Sequence, residues 1–340
     1  MFNDYFSARY ILEKGCPFNV CFSDRSDGKT FDCKIRALEN YFKDKSQSVY
    51  LRRFKTEITP LMYSTYFNEI LNIEHYKALY GHCQFKGDKS GVKISLDDGE
   101  TWDYIVYFIV LTMSSKLKSQ LDIQRIHNVD FDEYIPLDNR YIKDEMNYIL
   151  ELYKSIDRDR DILQFNFFAN KITYYCPLLD YFGIDLSLSS KVGIRTYKNN
   201  SIAVQIYASN EHRKSRYQSK FQQAVEGTEY EEYASGGILN LLDIEYKSTK
   251  DLTRIFASFK TMRGEGLIYI DEKYNYVISS KTKGGQLLIV DKIYNDTRQQ
   301  LMYNLGDIAS NLKRMYRLHH MYFEDAKSFY LFEPILQKIK

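Results

Sequence analysis

The chain has 340 residues, 44% of them hydrophobic, and its 47 basic and 45 acidic side chains leave a net charge of +2. This length exceeds what one compact core usually holds, so two domains are expected, and the balanced charge excludes a wholly polycationic nucleic-acid-binding protein. The five cysteines form no Cys-x-x-Cys pair, which indicates reduced thiols and argues against a zinc site.

The first half of the chain alternates short apolar runs with longer amphipathic ones. An apolar run at residues 19–22 precedes residues 30–43, where apolar side chains recur at helical spacing. The alternation continues and predicts strands at 49–51, 105–111, 126–131 and 163–168, helices at 63–80 and 140–153, and a hairpin turn at 87–91. Strands that alternate with helices in this way favour a mostly parallel sheet with helices on both faces.

No segment of the sequence is typical of membrane insertion or secretion. Residues 1–5 lack a positive region followed by an apolar stretch, so no signal peptide is predicted. The longest apolar run, residues 104–111, is far shorter than the ~20 residues that a membrane-spanning helix needs. We therefore expect no membrane partner.

The pattern changes in the second half of the chain. Residues 209–224 form a charged, helix-like stretch, and residues 226–237 are polar and acidic. The sequence then predicts antiparallel strands at 255–260, 267–270, 276–279 and 287–290, followed by helices at 296–316 and 330–339. We predict an α/β domain over 1–190, a linker or lid over 191–244, and a smaller α+β domain over 245–340.

The strongest motif lies between the first strand and the first helix. It reads Ser23-Asp24-Arg25-Ser26-Asp27-Gly28-Lys29-Thr30. A phosphate-binding (Walker A) loop needs this placement, because its backbone N–H groups and the helix N-terminus must converge on phosphate oxygens. Gly28 allows close approach of the backbone, Lys29 would reach the β- and γ-phosphates, and the Thr30 hydroxyl would ligate Mg²⁺. These residues predict ATP and Mg²⁺ as cofactors.

Two positions depart from the usual Walker A loop. Ser23 stands where the first glycine is expected, and Asp27 would place a carboxylate beside a polyphosphate. The alternative is an ordinary strand-to-helix turn, or a degenerate loop that serves binding or scaffolding alone.

A second motif ends the predicted strand at 126–131. An apolar run that closes on Asp132-Glu133 is the Walker B pattern, in which Asp132 would hold Mg²⁺ and Glu133 would activate the attacking water. Asn128 and Asp130 make this run more polar than a buried parallel strand should be, and a solvated strand end with a helix-capping acid is the alternative. At the end of the next strand, Asn170 could sense the γ-phosphate; a plain turn asparagine is its alternative.

These motifs together resemble the genome-packaging ATPases of small, protein-primed tailed bacteriophages, which are additional-strand, conserved-Glu P-loop ATPases. The matching stretches are Arg25, Val49-Tyr50-Leu51-Arg52-Arg53-Phe54-Lys55, Phe131-Asp132-Glu133, Arg158-Asp159-Arg160, Glu211-His212-Arg213-Lys214-Ser215-Arg216 and Glu226-Gly227-Thr228-Glu229-Tyr230. The likeness covers nearly the whole chain. The phosphate loop and the Asp-Glu pair are shared with many ATPases, so the Leu-Arg-Arg-Phe-Lys and Glu-Gly-Thr-Glu-Tyr stretches point to this family.

The resemblance implies a homomeric ring, expected to be a pentamer, with ATP bound between neighbouring subunits. A trans-acting arginine then completes the neighbour's site, and Arg158 matches that position, with Arg160 as the alternative. Lys118 matches a second basic position that faces the neighbour. Without the resemblance, a self-paired charge run at a helix end would be the favoured interpretation of Arg158.

The resemblance also implies that the second domain is RNase H-like and has lost its nuclease site. Two-metal hydrolysis needs carboxylates clustered about two cations, yet the run 255–260 carries none and Asp271 lies alone in a turn. The implied partners are double-stranded DNA, the portal of a prohead and a structural packaging RNA, and the implied location is the portal vertex in the host cytoplasm.

Contacts to DNA should come from basic side chains that bind phosphate without reading bases, because a packaging motor must tolerate any sequence. Arg52, Arg53 and Lys55 are the candidates, together with the loop at 86–93, although a solvated basic face is the alternative. Three other functions remain open: a helicase-like motor, a plasmid-partition ATPase, or a terminase with an active nuclease.

Overall fold

The computed structural model describes residues 5–25, 27–114, 121–136, 140–170, 176–186, 192–208, 220–225, 246–283, 288–290 and 305–339. The chain divides into two compact units, residues 1–172 with 191–238, and residues 173–190 with 239–340. Its described helices are α1 (Arg9–Leu12), α2 (Lys29–Asp44), α3 (Pro60–Thr65), α4 (Asn68–Leu71), α5 (Glu74–Tyr80), α6 (Glu145–Asp157), α7 (Pro177–Tyr181), α8 (Lys220–Val225), α9 (Leu305–Arg317) and α10 (Ala326–Ile339). None of them combines the length and apolar character that crossing a bilayer requires.

The first unit is built on a nine-stranded sheet in the order β3-β4-β5-β2-β6-β7-β1-β9-β8. The strands are β1 (Phe18–Ser23), β2 (Gln47–Arg52), β3 (Gln84–Asp88), β4 (Gly91–Ser95), β5 (Asp103–Val110), β6 (Ile126–Phe131), β7 (Gln164–Asn170), β8 (Gly193–Tyr197) and β9 (Ile202–Ile206). The run from β5 to β9 is parallel, and antiparallel hairpins extend it at both edges. The mixed α/β fold with a mostly parallel sheet is thus confirmed.

Polar side chains inside this sheet form one buried hydrogen-bonded network beneath α2. Arg36 donates to Asp32 at 2.7 Å and to Asp130 at 2.9 Å. Asn166 also donates to Asp130, at 2.8 Å, and Asn19 donates to Asn166 at 3.0 Å. Because a buried charge is tolerated only when it is paired, this network explains why the strand at 126–131 is unusually polar. It also docks α2 onto β6.

Three local predictions differ from the structure of the first unit. The helix predicted at 63–80 is divided into α3, α4 and α5, with an extended residue, Ile73, before the last of them. The helix predicted at 140–153 begins only at Glu145. Strands β8 and β9 were missed, so residues 193–206 of the stretch predicted as a linker belong to the sheet. Lys198, Asn199 and Asn200 have positive φ, and this turn before the apolar run 202–206 was the available indication of a hairpin.

The second unit holds a five-stranded sheet in the order β13-β10-β11-β12-β14. Its strands are β10 (Ile255–Thr261), β11 (Gly264–Ile270), β12 (Tyr276–Ser279), β13 (Leu288–Val290) and β14 (Met321–Phe323). The pairs β10–β11 and β11–β12 are antiparallel as predicted. The fourth predicted strand, β13, is instead parallel to β10. The chain crosses from β12 to the other edge of the sheet, beside β10, and does not form a hairpin with β12.

Helix α10 packs across this sheet and contains Pro334. Because proline has no N–H, the carbonyl of Tyr330, four residues earlier, loses its helical donor. Arg263 replaces that donor at 2.9 Å and also pairs with the carboxylate of Glu333. The Arg263 and Glu333 side chains are 9% and 4% exposed. The pair therefore satisfies the helix at the point where proline interrupts it.

We expect Arg263→Met to lower the free energy of unfolding by about 3–5 kcal/mol, because it leaves the buried Glu333 carboxylate without a partner. Arg263→Met with Glu333→Leu should recover much of this loss, since an apolar pair leaves no buried charge. Arg9→Met is the control: the Arg9–Glu39 pair is exposed and should contribute at most ~1 kcal/mol. Urea unfolding of the three variants measures the differences, and equal losses for Arg263→Met and Arg9→Met would contradict the expectation.

Candidate nucleotide-binding site

A cleft of about 570 Å³ opens at the carboxyl ends of the central strands. Strand β7 lies between β1 and β6, and its last residue, Asn170, is in register with Ser23 at the end of β1. Parallel strands end at the same edge, so the phosphate loop after β1, the Asp-Glu pair after β6 and Asn170 all border one cleft. This edge of an open α/β sheet is the usual ligand site.

The phosphate loop leads directly into α2. Gly28 precedes the helix with φ of 98°, a left-handed conformation that a side chain would strain. Space is also short at this position, because a Cβ on Gly28 would lie 3.2 Å from the Tyr5 ring. The first residues of α2 line the cleft, and the N–H groups at a helix N-terminus are suited to bind an anion.

The structure accounts for both departures from the usual loop sequence. The Asp27 carboxylate turns into the loop, where the Asp24 N–H donates to it at 2.7 Å, and Asp27 is buried. Ser23 is fully buried at the end of β1, and its hydroxyl accepts a hydrogen bond from the Lys29 ammonium at 3.0 Å. Asp27 therefore closes the loop on itself rather than presenting its charge to a phosphate.

Lys29 lies at the centre of the cleft. Its ammonium donates to the Asp24 carbonyl at 3.0 Å and to the Asn170 side-chain oxygen at 2.9 Å. Burial lowers the pKa of Lys29, and the carboxylates of Asp27, Asp132 and Asp24 oppose that shift. The ammonium can exchange these contacts for phosphate oxygens, and its link to Asn170 gives that residue a direct connection to the phosphate loop.

Thr30 and Asp132 form a pair of oxygen donors suited to Mg²⁺. The Thr30 hydroxyl donates to the Asp132 carboxylate at 2.8 Å, and the Tyr50 hydroxyl donates to the same oxygen at 2.7 Å. Hydroxyl and carboxylate oxygens are the ligands that Mg²⁺ prefers. The donor set therefore fits the cation that the sequence predicted.

Glu133 has a left-handed backbone, with φ of 54°. Its side chain is 60% exposed and accepts a hydrogen bond from Arg52 at 2.6 Å. Arg52 also approaches the Asp132 carboxylate, at 3.7 Å. The sequence prediction for Arg52 as a DNA contact needs correction, because its side chain is 12% exposed and faces the two acidic residues of the cleft.

Arg53 is also not placed to contact DNA. Its side chain is 1% exposed and pairs with Glu145, which is 2% exposed. A guanidinium buried in this way has no surface to offer a phosphate backbone, so its prediction as a DNA contact is wrong. Lys55, the third candidate, is exposed and remains a prediction.

The two arginines predicted near a subunit boundary differ in their contacts. Arg160 donates to four backbone carbonyls, those of Asp157, Gln124, Ile123 and Ile156, at 2.6–2.9 Å. Arg158 is exposed, and no described residue accepts a hydrogen bond from its guanidinium. Of the two, Arg160 is therefore committed to the backbone of its own chain, and the trans role of Arg158 remains a prediction.

Some predicted positions lie outside the described residues: Ser26, Lys118, and the stretches at 211–216 and 226–230. Conversely, the sequence alone did not single out Tyr5 and Tyr50, which border or contact the site. Tyr50 belongs to the matching stretch at 49–55, but its contact with Asp132 depends on β2 pairing with β6.

Comparison with known proteins places this site in context. The family model described as Podovirus DNA encapsidation protein (Gp16) matches residues 3–329. The chain is 24% identical over 305 residues to the DNA packaging protein of Bacillus phage B103, covering 88% of this chain and 81% of that protein. It is 23% identical over 327 residues to the DNA packaging protein of Bacillus phage phi29, covering 90% of each.

Solved structures show a similar fold. A chain of the bacteriophage Phi-29 viral genome packaging motor assembly aligns with a TM-score of 0.60 and 16% identity, covering 99% of this chain and 100% of that chain. The N-terminal domain of the DNA packaging ATPase from bacteriophage phi29 aligns with a TM-score of 0.51 and 20% identity, covering 61% of this chain and 98% of that domain.

Proposed function

Since the chain belongs to the podovirus DNA encapsidation protein family, we propose that it is an ATP-hydrolysing motor subunit that drives double-stranded phage DNA into a prohead. The convergence of Lys29, Thr30, Asp132 and Glu133 on one cleft carries this proposal. The resemblance inferred from the sequence motifs is confirmed by the family match. Ser23 and Asp27 both have structural roles within the loop, so they do not favour a degenerate loop.

Binding of ATP follows from the loop. The backbone N–H groups at the start of α2 receive phosphate oxygens, and Lys29 exchanges its contacts with Asp24 and Asn170 for the β- and γ-phosphates. Thr30 and Asp132 would hold Mg²⁺, which when bound neutralises charge on the phosphates. Tyr50 and Thr30 orient the Asp132 carboxylate toward this position.

Hydrolysis needs a base for the attacking water, and we assign this role to Glu133, which lines the cleft. In the structure its carboxylate accepts a hydrogen bond from Arg52 at 2.6 Å. Arg52 contacts Oε2 of Glu133, so Oε1 is the oxygen that would accept a proton from water while Arg52 holds the carboxylate in position.

The ring and its partners follow from the family resemblance. We propose a homomeric ring, in which five subunits is the expected number, with Arg158 of each subunit entering the site of the next. Lys118 is a further candidate for this boundary. The ring would act in the host cytoplasm, at the portal vertex of a prohead, with the portal and a structural packaging RNA as partners. Lys55 would contact DNA phosphates.

For the second unit we propose an RNase H-like fold without nuclease activity. Three antiparallel strands, β12-β11-β10, continue to β13, which runs parallel to β10, and this order supports the proposal. Burial raises the pKa of Asp271, but hydrogen bonds from Lys247 and Asn275 lower it to about 2. The Asp271 carboxylate stabilises the turn that follows it by accepting hydrogen bonds from the N–H groups of Lys273 and Asn275.

The test is steady-state ATP hydrolysis by the full chain with proheads, with and without long duplex DNA. We expect DNA to stimulate hydrolysis and to become protected from added nuclease in an ATP-dependent way. Supercoiled plasmid incubated with the chain and Mn²⁺ should stay intact. Hydrolysis without any DNA protection would favour another P-loop motor, and nicking that vanishes in Asp271→Asn would favour a terminase with an active nuclease.

A further inference from the structure

The buried pair of Arg53 and Glu145 lies directly behind the catalytic edge. Arg53 donates through Nε to one Glu145 oxygen at 2.6 Å and through Nη2 to the other at 2.9 Å. Aromatic rings enclose the guanidinium, with those of Phe131 and Tyr141 each centred 5.1 Å away. A bidentate ion pair that is buried in this way is held in a single arrangement, because separating the two charges would leave each of them buried without a partner.

The remaining donors of Arg53 go to the backbone that follows the Walker B strand. Nη2 donates to the Tyr134 carbonyl at 2.5 Å, and Nη1 donates to the Glu133 carbonyl at 3.4 Å. Glu133 has a positive φ, a conformation that persists in a non-glycine residue only when its surroundings impose it. Arg53 is thus in contact with the main chain of the residue whose side chain activates water.

Glu145 is the first residue of α6, and its carboxylate also accepts the Ile142 N–H at 3.1 Å. The helix extends about 20 Å from there at 1.5 Å per residue, and Arg158 follows its last residue. At that far end the buried Asp157 carboxylate accepts the N–H groups of residues 161–163. Both ends of α6 are therefore anchored by buried charged side chains.

We propose that Arg53 and Glu145 are positioning residues. Arg53 fixes the backbone of Glu133, and its ion pair with Glu145 links that backbone to α6, the helix that presents Arg158. The proposal rests on the proposed function of these two residues and adds a connection between them. As a consequence, the Arg53–Glu145 pair and α6 link two catalytic groups of the same subunit. One is Glu133, which activates water in the subunit's own site, and the other is Arg158, which enters the site of the neighbouring subunit.

The first test separates positioning from stability. Arg53→Met with Glu145→Leu removes the buried charges together, so the fold should remain stable, as apolar replacements of buried ion pairs often are. The Glu133 and Tyr134 carbonyls nevertheless lose their donor. We expect kcat of the assembled motor to fall about 10²-fold, the scale of an ångström-sized misplacement, while KM for ATP stays within about twofold because Lys29 and Thr30 are untouched.

Arg53→Lys is the second variant, and it keeps the charge beside Glu145. An ammonium cannot reproduce the planar, multiple contacts of the guanidinium, so kcat should again fall, by about tenfold or more. Arg125→Met is the matched control, because Arg125 also makes a two-pronged pair, with Asp103, away from the catalytic edge. It should keep kcat within about twofold.

A folded double variant, or an Arg53→Lys variant, with kcat within about twofold of the unmodified chain would overturn the positioning role. The link to α6 is tested in mixed rings, where Lys29→Ala subunits supply Arg158 to Arg158→Ala subunits. Adding Arg53→Lys to the Lys29→Ala subunit should reduce the recovered hydrolysis about fivefold or more, and undiminished recovery would overturn the link. Wild-type hydrolysis by Glu133→Gln would instead refute the assignment of Glu133 as the water-activating residue, and absence of ATP hydrolysis by the unmodified motor would refute the proposed function itself.

Discussion

Glu133→Gln is expected to abolish ATP hydrolysis by the assembled motor while ATP binding persists. The amide keeps the size and the hydrogen-bonding position of the carboxylate, but it cannot accept a proton from the attacking water. A positioned general base typically contributes about 10²–10⁴-fold to a rate. Phosphate binding should be unaffected, because it depends on the loop and on Lys29 rather than on Glu133.

Lys29→Ala should differ, because it removes both hydrolysis and much of the affinity for ATP. Lys29 is the positive charge that the loop directs into the cleft, and burial among Ser23, Asp24 and Asn170 keeps its ammonium in place. Equilibrium binding of a fluorescent ATP analogue, measured beside hydrolysis, distinguishes the two variants.

Controls for these variants come from the same region of the chain. Glu39→Gln makes the same chemical change at an exposed position paired with Arg9, and Lys43→Ala removes an exposed lysine from the last turn of α2. Both should hydrolyse ATP at the rate of the unmodified chain. If Glu133→Gln did so too, the assignment of the Walker B pair would be wrong.

Arg158→Ala is expected to remove hydrolysis in the ring and to leave the ATP affinity of an isolated subunit unchanged. Arg158 precedes β7, whereas Asn170 ends it at the cleft, so the strand separates them by about 20 Å at ~3.3 Å per residue. Arg158 therefore cannot reach the site of its own subunit. An arginine that completes a neighbour's site contributes about 10³–10⁵-fold to kcat.

Mixing of two inactive variants tests this arrangement. Lys29→Ala subunits have an inactive nucleotide site but supply Arg158 to their neighbour. Arg158→Ala subunits have an intact nucleotide site but supply no arginine. Mixed rings should regain hydrolysis wherever an intact site faces an intact arginine. Lys154→Ala is the control, because Lys154 is an exposed residue of α6. Rings made of this variant alone should keep their activity, without subunits of a second kind. Absence of recovery at every mixing ratio would argue against a role in trans.

Several features of this protein follow from its local sequence. A strand, a loop ending in Gly28-Lys29-Thr30 and a helix specify a phosphate site because the three are consecutive in the chain. The run that ends in Asp132-Glu133 likewise indicates a strand with acids at its carboxyl end. Such features need only neighbours in sequence, and the structure forms the corresponding elements β1, α2 and β6 at nearly the predicted positions.

Only the tertiary structure decided what the Arg52-Arg53 pair does. The two adjacent guanidiniums read as a basic surface, but Arg52 contacts Glu133 and Arg53 is buried against Glu145. These partners are 81 and 92 residues away in the chain. Arg52 is the last residue of β2 and Arg53 lies in the bend that follows it, so the two side chains meet different environments. Whether a charge is solvated or paired depends on distant residues that the fold brings beside it.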